Sequence, residues 1–194
     1  MLDYIKGEIV ELTPASVVIE VGNLGYFVHI SLNTYSALHD AKECKLYVYE
    51  AIREDARLLF GFPDKKERNL FLLLISVSGV GANTARMILS SLTATELENI
   101  IVSGNSSALK TVKGIGSKTA ERIIIDLKDK VKPGDDAPVS TETPISTVTA
   151  QEALSALIML GFNQPASQKV ISKIVKENPA LTVEQIIKNA LKML

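Results

Sequence analysis

The sequence predicts an α+β protein in which several small modules follow one another along the chain. Three observations predict it: short β-branched and aromatic runs up to Phe62, helix-forming residues after Pro63, and a Pro-rich stretch before a last helical segment. With 194 residues, 46% of them hydrophobic and 22% charged, the chain is long enough to bury a core. No 18-residue apolar run and no signal-peptide pattern occurs, so we expect a cytoplasmic protein without a membrane span.

Residues 1–64 are predicted to form a small antiparallel β-barrel of the OB kind. Five or six short strands are expected, among them 17–21, 26–30, 45–51 and 57–62. Gly22 to Gly25 supply turn residues between the first two of these strands, and Arg53 to Asp55 form a polar tip between the last two. Short strands at such spacing favour a barrel.

Residues 65–132 are predicted to be helical and contain an internal repeat. Helix formers run from Lys65 to Ser76 and from Asn83 to Ser91. Residues 77–89 align with residues 112–124 at an offset of 35, and six of the 13 positions are identical. Two copies with a Gly-x-Gly centre are too few for a helical solenoid.

Residues 133–148 are predicted to be a flexible linker, and residues 149–194 a three-helix domain. The linker is rich in Pro, Ser and Thr and poor in large apolar residues. Helix starts are expected at Thr149, where a capping-box pattern occurs, at Asn163 before Pro165, and at Thr182. Leu154, Leu157 and Ile158 are expected on the buried face of the first of these helices. A domain of this size has room for a partner surface but little room for an active site.

Charge is sorted along the chain. Residues 1–64 hold five basic and ten acidic side chains, residues 65–132 hold 11 and six, and residues 133–194 hold five and six. A basic central region fits a polyanionic partner, although a solvated helical surface would have the same composition.

The repeated Gly-x-Gly indicates a phosphate-binding function. Gly79, Gly81, Gly114 and Gly116 are predicted to occupy tight hairpins that need unrestricted φ and allow a ligand close to the backbone. The next helix is expected to start near Ala82 or Ser117, with its free N–H groups directed at a phosphate. The second copy has the richer set of cations. A single copy would more often be a helix stop and a helix start, but two matching copies favour binding. The candidate cations are Arg86, Lys110, Lys113, Lys118 and Arg122.

The doubled pattern is similar to the helix-hairpin-helix pairs that hold two phosphates of a DNA duplex without reading bases. Together with the barrel, the stretch from Arg53 to Phe62, the linker and the segment from Leu157 to Phe162, it resembles the RuvA family of bacterial Holliday junction branch-migration subunits. The resemblance implies a non-catalytic scaffold that binds four-way junctions as a homotetramer. It also implies the hexameric ATPase RuvB as partner, the resolvase RuvC as a further partner, and a UBA-like last domain.

The resemblance assigns roles residue by residue. Glu54 and Asp55 would be an acidic pin at the junction centre. The DNA-binding set would be Gly79, Gly81, Arg86, Lys110, Lys113, Gly114, Gly116, Ser117, Lys118 and Arg122, and the motor-binding set Leu157, Leu160 and Phe162. Asn83 departs from the Lys that many relatives carry, which weakens the expected grip of the first hairpin.

Enzyme alternatives have less support in the sequence. The stretch 114–119 lacks the spacing of a phosphate-binding P-loop, since Ser117 separates Gly116 from Lys118. A base-excision glycosylase stays an alternative, with Asp126 or Asp129 as nominal catalytic groups. With one cysteine, Cys44, and two histidines, no catalytic residue, metal site or cofactor is expected.

Overall fold

The computed structural model describes residues 2–131, 145–178 and 181–194, with backbone only at 145–148 and 177. It contains two compact units, Met1–Asp135 and Asp136–Leu194. Residues 133–144 of the predicted linker lie outside the described residues. The elements of the first unit are β1 (Tyr4–Thr13), β2 (Ser16–Val21), β3 (Leu24–Ile30), α1 (Leu32–Leu38), β4 (Glu43–Ile52), β5 (Arg57–Phe62), α2 (Lys65–Ser76), α3 (Ala82–Ser91), α4 (Ala94–Ser103), α5 (Ser106–Leu109) and α6 (Ser117–Leu127). Those of the second are α7 (Ile145–Met159), α8 (Gln164–Glu177) and α9 (Val183–Ala190).

The five strands close into a barrel in the order β1-β2-β3-β5-β4, which confirms the predicted OB-like barrel. The expectation of a wholly antiparallel barrel was wrong, because β3 and β5 pair in parallel through Val28↔Leu59 and Ile30↔Gly61. The reason is parity. Five strands cannot alternate in direction around a closed ring, so at least one neighbouring pair must run the same way.

Strand β5 joins the barrel to the helices that follow it. Gly61 points into the barrel, where a Cβ would lie 2.6 Å from Val28 Cγ1, so only glycine fits there. Phe60 and Phe62 point the other way and pack on Phe71 of α2, with ring centroids 5.4 and 4.8 Å apart. Such aromatic pairs add to the apolar area that they bury. Strand β5 therefore contributes to the hydrophobic core of the helices of residues 65–131, while the interior of the barrel forms a separate core.

Helix α1, which the sequence did not predict, also holds the barrel against the helices. Asn33 Nδ2 donates to the backbone carbonyls of Leu89 (2.7 Å) and Leu92 (3.1 Å) at the end of α3. Ser31 Oγ donates to Glu67 Oε1 of α2 at 2.9 Å, and Thr34 Oγ1 donates to the same oxygen at 3.4 Å. These bonds satisfy helix-end carbonyls and a buried carboxylate that would otherwise lose water without compensation.

The second unit is a three-helix domain with its own apolar core. Asn163 and Thr182 are the N-caps of α8 and α9, and Thr182 forms the predicted capping box with Gln185. The predicted start at Thr149 was wrong by four residues, because α7 begins at Ile145 and extends into the predicted linker. A Thr-x-x-Glu pattern also fits a helix interior, so it did not fix the helix start. No helix in the described ranges is long and apolar enough to span a membrane.

Candidate nucleic-acid interface

The two repeat copies fold into two hairpins with the same backbone geometry. Hairpin 1 comprises residues 77–81, between α2 and α3, and hairpin 2 comprises residues 112–116, before α6. In hairpin 1 the Val80 N–H donates to the Val77 carbonyl at 3.0 Å, and in hairpin 2 the Ile115 N–H donates to the Val112 carbonyl at 3.1 Å. All four of these apolar residues are buried in the core that β5 and the helices form. The core therefore anchors each turn while its glycines face solvent.

The two glycines of each hairpin have different roles. Gly79 and Gly114 have φ values of +91° and +90°. Residues that carry a Cβ rarely adopt this backbone conformation. Gly81 and Gly116 have φ near −86° and −82°, so the prediction that they need unrestricted φ was wrong. A Cβ added at either position would meet no atom within 4 Å. Their lack of a side chain thus leaves open space at the helix start, as close approach of a ligand requires.

Helices α3 and α6 begin at Ala82 and Ser117, as predicted. Gly81 and Gly116 are their N-caps, and among the described residues neither helix has a side-chain cap or an acidic residue in its first turn. By contrast, Asp64 and Thr93 cap α2 and α4 with their side chains. The first N–H groups of α3 and α6 stay available to an external acceptor, and the helix dipole favours an anion there.

The candidate cations divide into tethered and free side chains. Arg86 Nη1 donates to the Ala15 carbonyl of the barrel at 2.9 Å, and Arg122 Nη1 donates to the Ser78 carbonyl of hairpin 1 at 3.3 Å. Lys110 Nζ lies 4.0 Å from Glu121 Oε1. Lys113 and Lys118 are exposed and have no ion pair or hydrogen bond within the described part of the chain. Hairpin 2 therefore has two uncommitted cations, whereas hairpin 1 has the neutral Asn83 at the position equivalent to Lys118.

Glu54 and Asp55 lie at the tip of the β4–β5 hairpin, and both side chains are exposed. The Arg53 N–H donates to the Ala56 carbonyl at 2.8 Å and closes the four-residue loop. At its base Arg57 Nη2 lies 2.6 Å from Glu50 Oε1. The base holds its own ion pair, and the two tip carboxylates project into solvent.

The predicted motor-binding residues are only partly at the surface. Leu157 is 0% exposed within the core of the second unit, which confirms its predicted place on the buried face of α7 and leaves it no surface to offer a partner in this structure. Leu160 is 61% exposed, and Phe162 is partly buried against the core. Ile158, expected on the buried face, is 41% exposed, and Met159, which the sequence did not single out, is 89% exposed. Helical spacing alone could not show that α7 ends here and turns these side chains outward.

The remaining candidate groups show no catalytic arrangement. Asp126 and Asp129 are exposed, unlike the catalytic group of an enzyme that encloses a flipped base. Burial raises the pKa of the Cys44 thiol and makes its reactive thiolate scarcer. Burial, with the nearby Arg86, lowers the pKa of His29. Across the described residues, no cluster of three His, Cys, Asp or Glu side chains could hold a metal ion.

Comparison with known proteins gives matches along the whole chain. Residues 1–61 match the RuvA N terminal domain, residues 71–129 the SAM-like Helix-hairpin-helix tandem, and residues 149–194 the RuvA, C-terminal domain. A protein from Azobacteroides pseudotrichonymphae is 66% identical over 197 residues. Relatives from Parabacteroides distasonis and Bacteroides fragilis are 59% and 56% identical. All three are named Holliday junction branch migration complex subunit RuvA, and each match covers 100% of both chains.

Proposed function

The chain belongs to the RuvA family, and from that membership we propose that it binds four-way DNA junctions as a subunit of a branch migration complex. The observation that carries the proposal is the match at 66% identity over the full length of both chains to a protein of that name. The glycosylase alternative is not favoured, because the relatives are named for junction processing and the nominal catalytic aspartates are exposed.

The paired hairpins explain how a junction arm can be held. Each presents free helix N–H groups beside an exposed glycine, so a phosphate can approach the backbone without meeting a side chain. Phosphate contacts fix register and orientation but carry no base information. Recognition would therefore follow the shape of the junction, and affinity would fall steeply as salt rises.

The proposed DNA contacts differ in kind. The hairpin glycines and Ser117 offer backbone N–H groups or the space to reach them, and Lys113 and Lys118 are free cations. Arg86, Lys110 and Arg122 have intramolecular partners, so each would use remaining N–H donors or exchange partners on binding. The proposed contact set is Gly79, Gly81, Arg86, Lys110, Lys113, Gly114, Gly116, Ser117, Lys118 and Arg122.

Glu54 and Asp55 are proposed to act as a pin at the crossover. Two exposed carboxylates repel phosphates, which costs affinity but keeps separated strands from pairing again. Arg57 at the base of the hairpin forms its ion pair with Glu50. It therefore does not neutralise the two carboxylates at the tip.

The wider assembly follows from the family. We propose a cytoplasmic homotetramer that presents four pairs of hairpins to four arms, recruits the RuvB ATPase through the second unit, and performs no catalysis itself. RuvC would be a further partner at the same junction. The exposed Met159 and Leu160, with the half-buried Phe162, are the residues proposed for the motor contact.

A gel-shift comparison of a four-way junction with a linear duplex of the same arm sequences tests junction binding, and a solution mass measurement tests the tetramer. We expect preferential junction binding that does not depend on arm sequence. Equal affinity for junction and duplex would contradict the proposal.

The motor contact needs a separate test. A chain ending at Val131 should still bind junctions but should not support motor-driven branch migration. Leu160→Gln in the full chain should reduce migration while junction binding persists. Migration at the parental rate in both would place the motor contact elsewhere.

A further inference from the structure

Residues 149–194, within the helical part of the second unit, carry a positive charge that composition over longer windows conceals. Residues 149–194 hold five lysines and three glutamates. The acidic residues that cancel this excess in the window 133–194 are Asp135, Asp136 and Glu142, all of them before residue 149. The three-helix domain is therefore a cationic body, unlike the acidic barrel.

Helix α8 concentrates this charge on one side. Its buried side carries Ser167, Ile171 and Ile174, all at most 5% exposed. Lys169, Lys173 and Lys176 are exposed and follow one another at spacings of four and three residues, so they share the opposite side of the helix. We call these three residues the lysine face. Within the described ranges none of the three has an ion pair or a hydrogen-bond partner.

The surroundings of the lysine face are polar. Pro165, Gln168 and Ser172 lie beside the three lysines on the exposed side of α8. The glutamine amide and the serine hydroxyl can donate hydrogen bonds to the same anion that the ammonium groups attract. The exposed apolar residues Ile158, Met159 and Leu160 belong to α7 and its end, not to α8. The domain thus has two chemically different exposed surfaces.

We propose that the lysine face binds phosphates of a duplex arm of the same junction that the paired hairpins hold, an inference that rests on the proposed function. Three ammonium groups within eight residues, Lys169 to Lys176, span about 10 Å of helix axis. Each strand of duplex DNA presents a phosphate about every 3.4 Å of the helix axis, so about three phosphates of one strand lie within that span. The domain is covalently joined to the hairpin unit, so its contact is an intramolecular event at high effective concentration. Surface lysines that bind phosphate only weakly by themselves can then contribute measurably to the affinity for the junction.

The test compares two double variants of the full-length protein. Lys169→Gln with Lys173→Gln removes two charges from the lysine face, and Lys188→Gln with Lys192→Gln removes two exposed charges from the same domain elsewhere. Lysine and glutamine have similar helix propensity, so both variants should fold, as circular dichroism will show. Junction affinity is measured by titration at several salt concentrations without the motor.

We expect the first pair to lower junction affinity several-fold and to flatten the salt dependence. The slope of log affinity against log salt should fall by about 0.9 for each phosphate that the variant no longer binds, and the control pair should keep the parental slope. Equal slopes for both variants would overturn the proposal. Parental DNA binding by the Lys169 and Lys173 variant, with reduced motor-driven migration, would also overturn it and assign the face to an acidic protein surface.

Failure of the proposed function gives a different result. In that case the parent protein itself shows no preference for the junction over linear duplex. A junction-selective parent with unchanged lysine-face variants contradicts only the inference about α8.

Discussion

Hairpin 1 and hairpin 2 have the same backbone but different surroundings. The φ angles of Gly79 and Gly114 differ by only 1°. In both hairpins the alanine N–H in the first turn of the next helix, that of Ala85 or Ala120, donates to the carbonyl of the N-cap glycine at 2.9 Å. Hairpin 1 leads into α3, which is held against the barrel by Arg86 and Asn33. Hairpin 2 has free lysines instead. The glycine and apolar pattern therefore determines the turn, and we expect the neighbouring side chains to determine how strongly each hairpin would hold a phosphate.

The largest effect is expected from closing the open space at hairpin 2. Gly116→Val should fold, because the position has extended backbone and an added Cβ meets nothing within 4 Å. Its side chain would occupy the phosphate approach and should lower junction affinity by about tenfold or more, roughly 1.4 kcal/mol. Gly81→Val is the matched control in hairpin 1, and it should lower junction affinity by a smaller factor. Gel-shift titrations with thermal melting check both, and parental affinity in a folded Gly116→Val protein would make hairpin 2 purely structural.

The acidic tip should affect selectivity more than affinity. Glu54→Gln with Asp55→Asn removes two charges that each cost on the order of 1 kcal/mol beside phosphates, before salt screening. We expect equal or several-fold tighter junction binding, a smaller preference over linear duplex, and altered motor-driven migration. Competition titrations measure the preference. If it equals the parental value, Glu54 and Asp55 form an ordinary surface turn.

Exchange of the cation between the hairpins tests the source of their difference. Lys118→Asn should lower junction affinity by roughly 1 kcal/mol, about fivefold, and reduce the salt slope by about 1. Asn83→Lys should increase affinity by a similar or smaller factor. The double exchange should return affinity toward the parental value if charge alone distinguishes the hairpins. A double exchange as weak as Lys118→Asn would show that the attachment of α3 to the barrel limits hairpin 1.

The smallest effect is expected on the stability of the fold, from the buried carboxylate of Glu67 in α2, the helix that precedes hairpin 1. Burial raises the pKa of Glu67 above its usual value of 4.5, so ionisation of this group opposes folding. Its contribution is most favourable below pH 4.5 and is lost as pH rises through the raised folded pKa. Glu67→Gln should therefore gain stability relative to the parent between pH 4.5 and neutrality. Denaturant unfolding at several pH values measures this gain, and a difference independent of pH would contradict it.

The sequence by itself determined the features that depend on neighbouring residues. Turn glycines, N-caps and residue periodicity act over a few positions, so α2 has the predicted bounds Lys65–Ser76, and α3 and α6 begin at the predicted residues. The repeat at residues 77–89 and 112–124 identified both hairpins for the same reason. A phosphate-binding role could be proposed from the sequence because the glycines and the helix start that would carry it are neighbours in the chain.

Only the tertiary structure decided what depends on residues distant in the sequence. It placed Phe60 and Phe62 of β5 against Phe71 of α2, so that one strand of the barrel packs into the core of the hairpin helices. It exposed Ile158, which residue spacing had placed on the buried face of α7, and it kept Phe162 partly buried against the core of the second unit. It also tied Arg86 to the carbonyl of Ala15, 71 residues away, and left Lys118 free. Residue type shows which groups can bind a phosphate, but only the fold determines which of them are still available to do so.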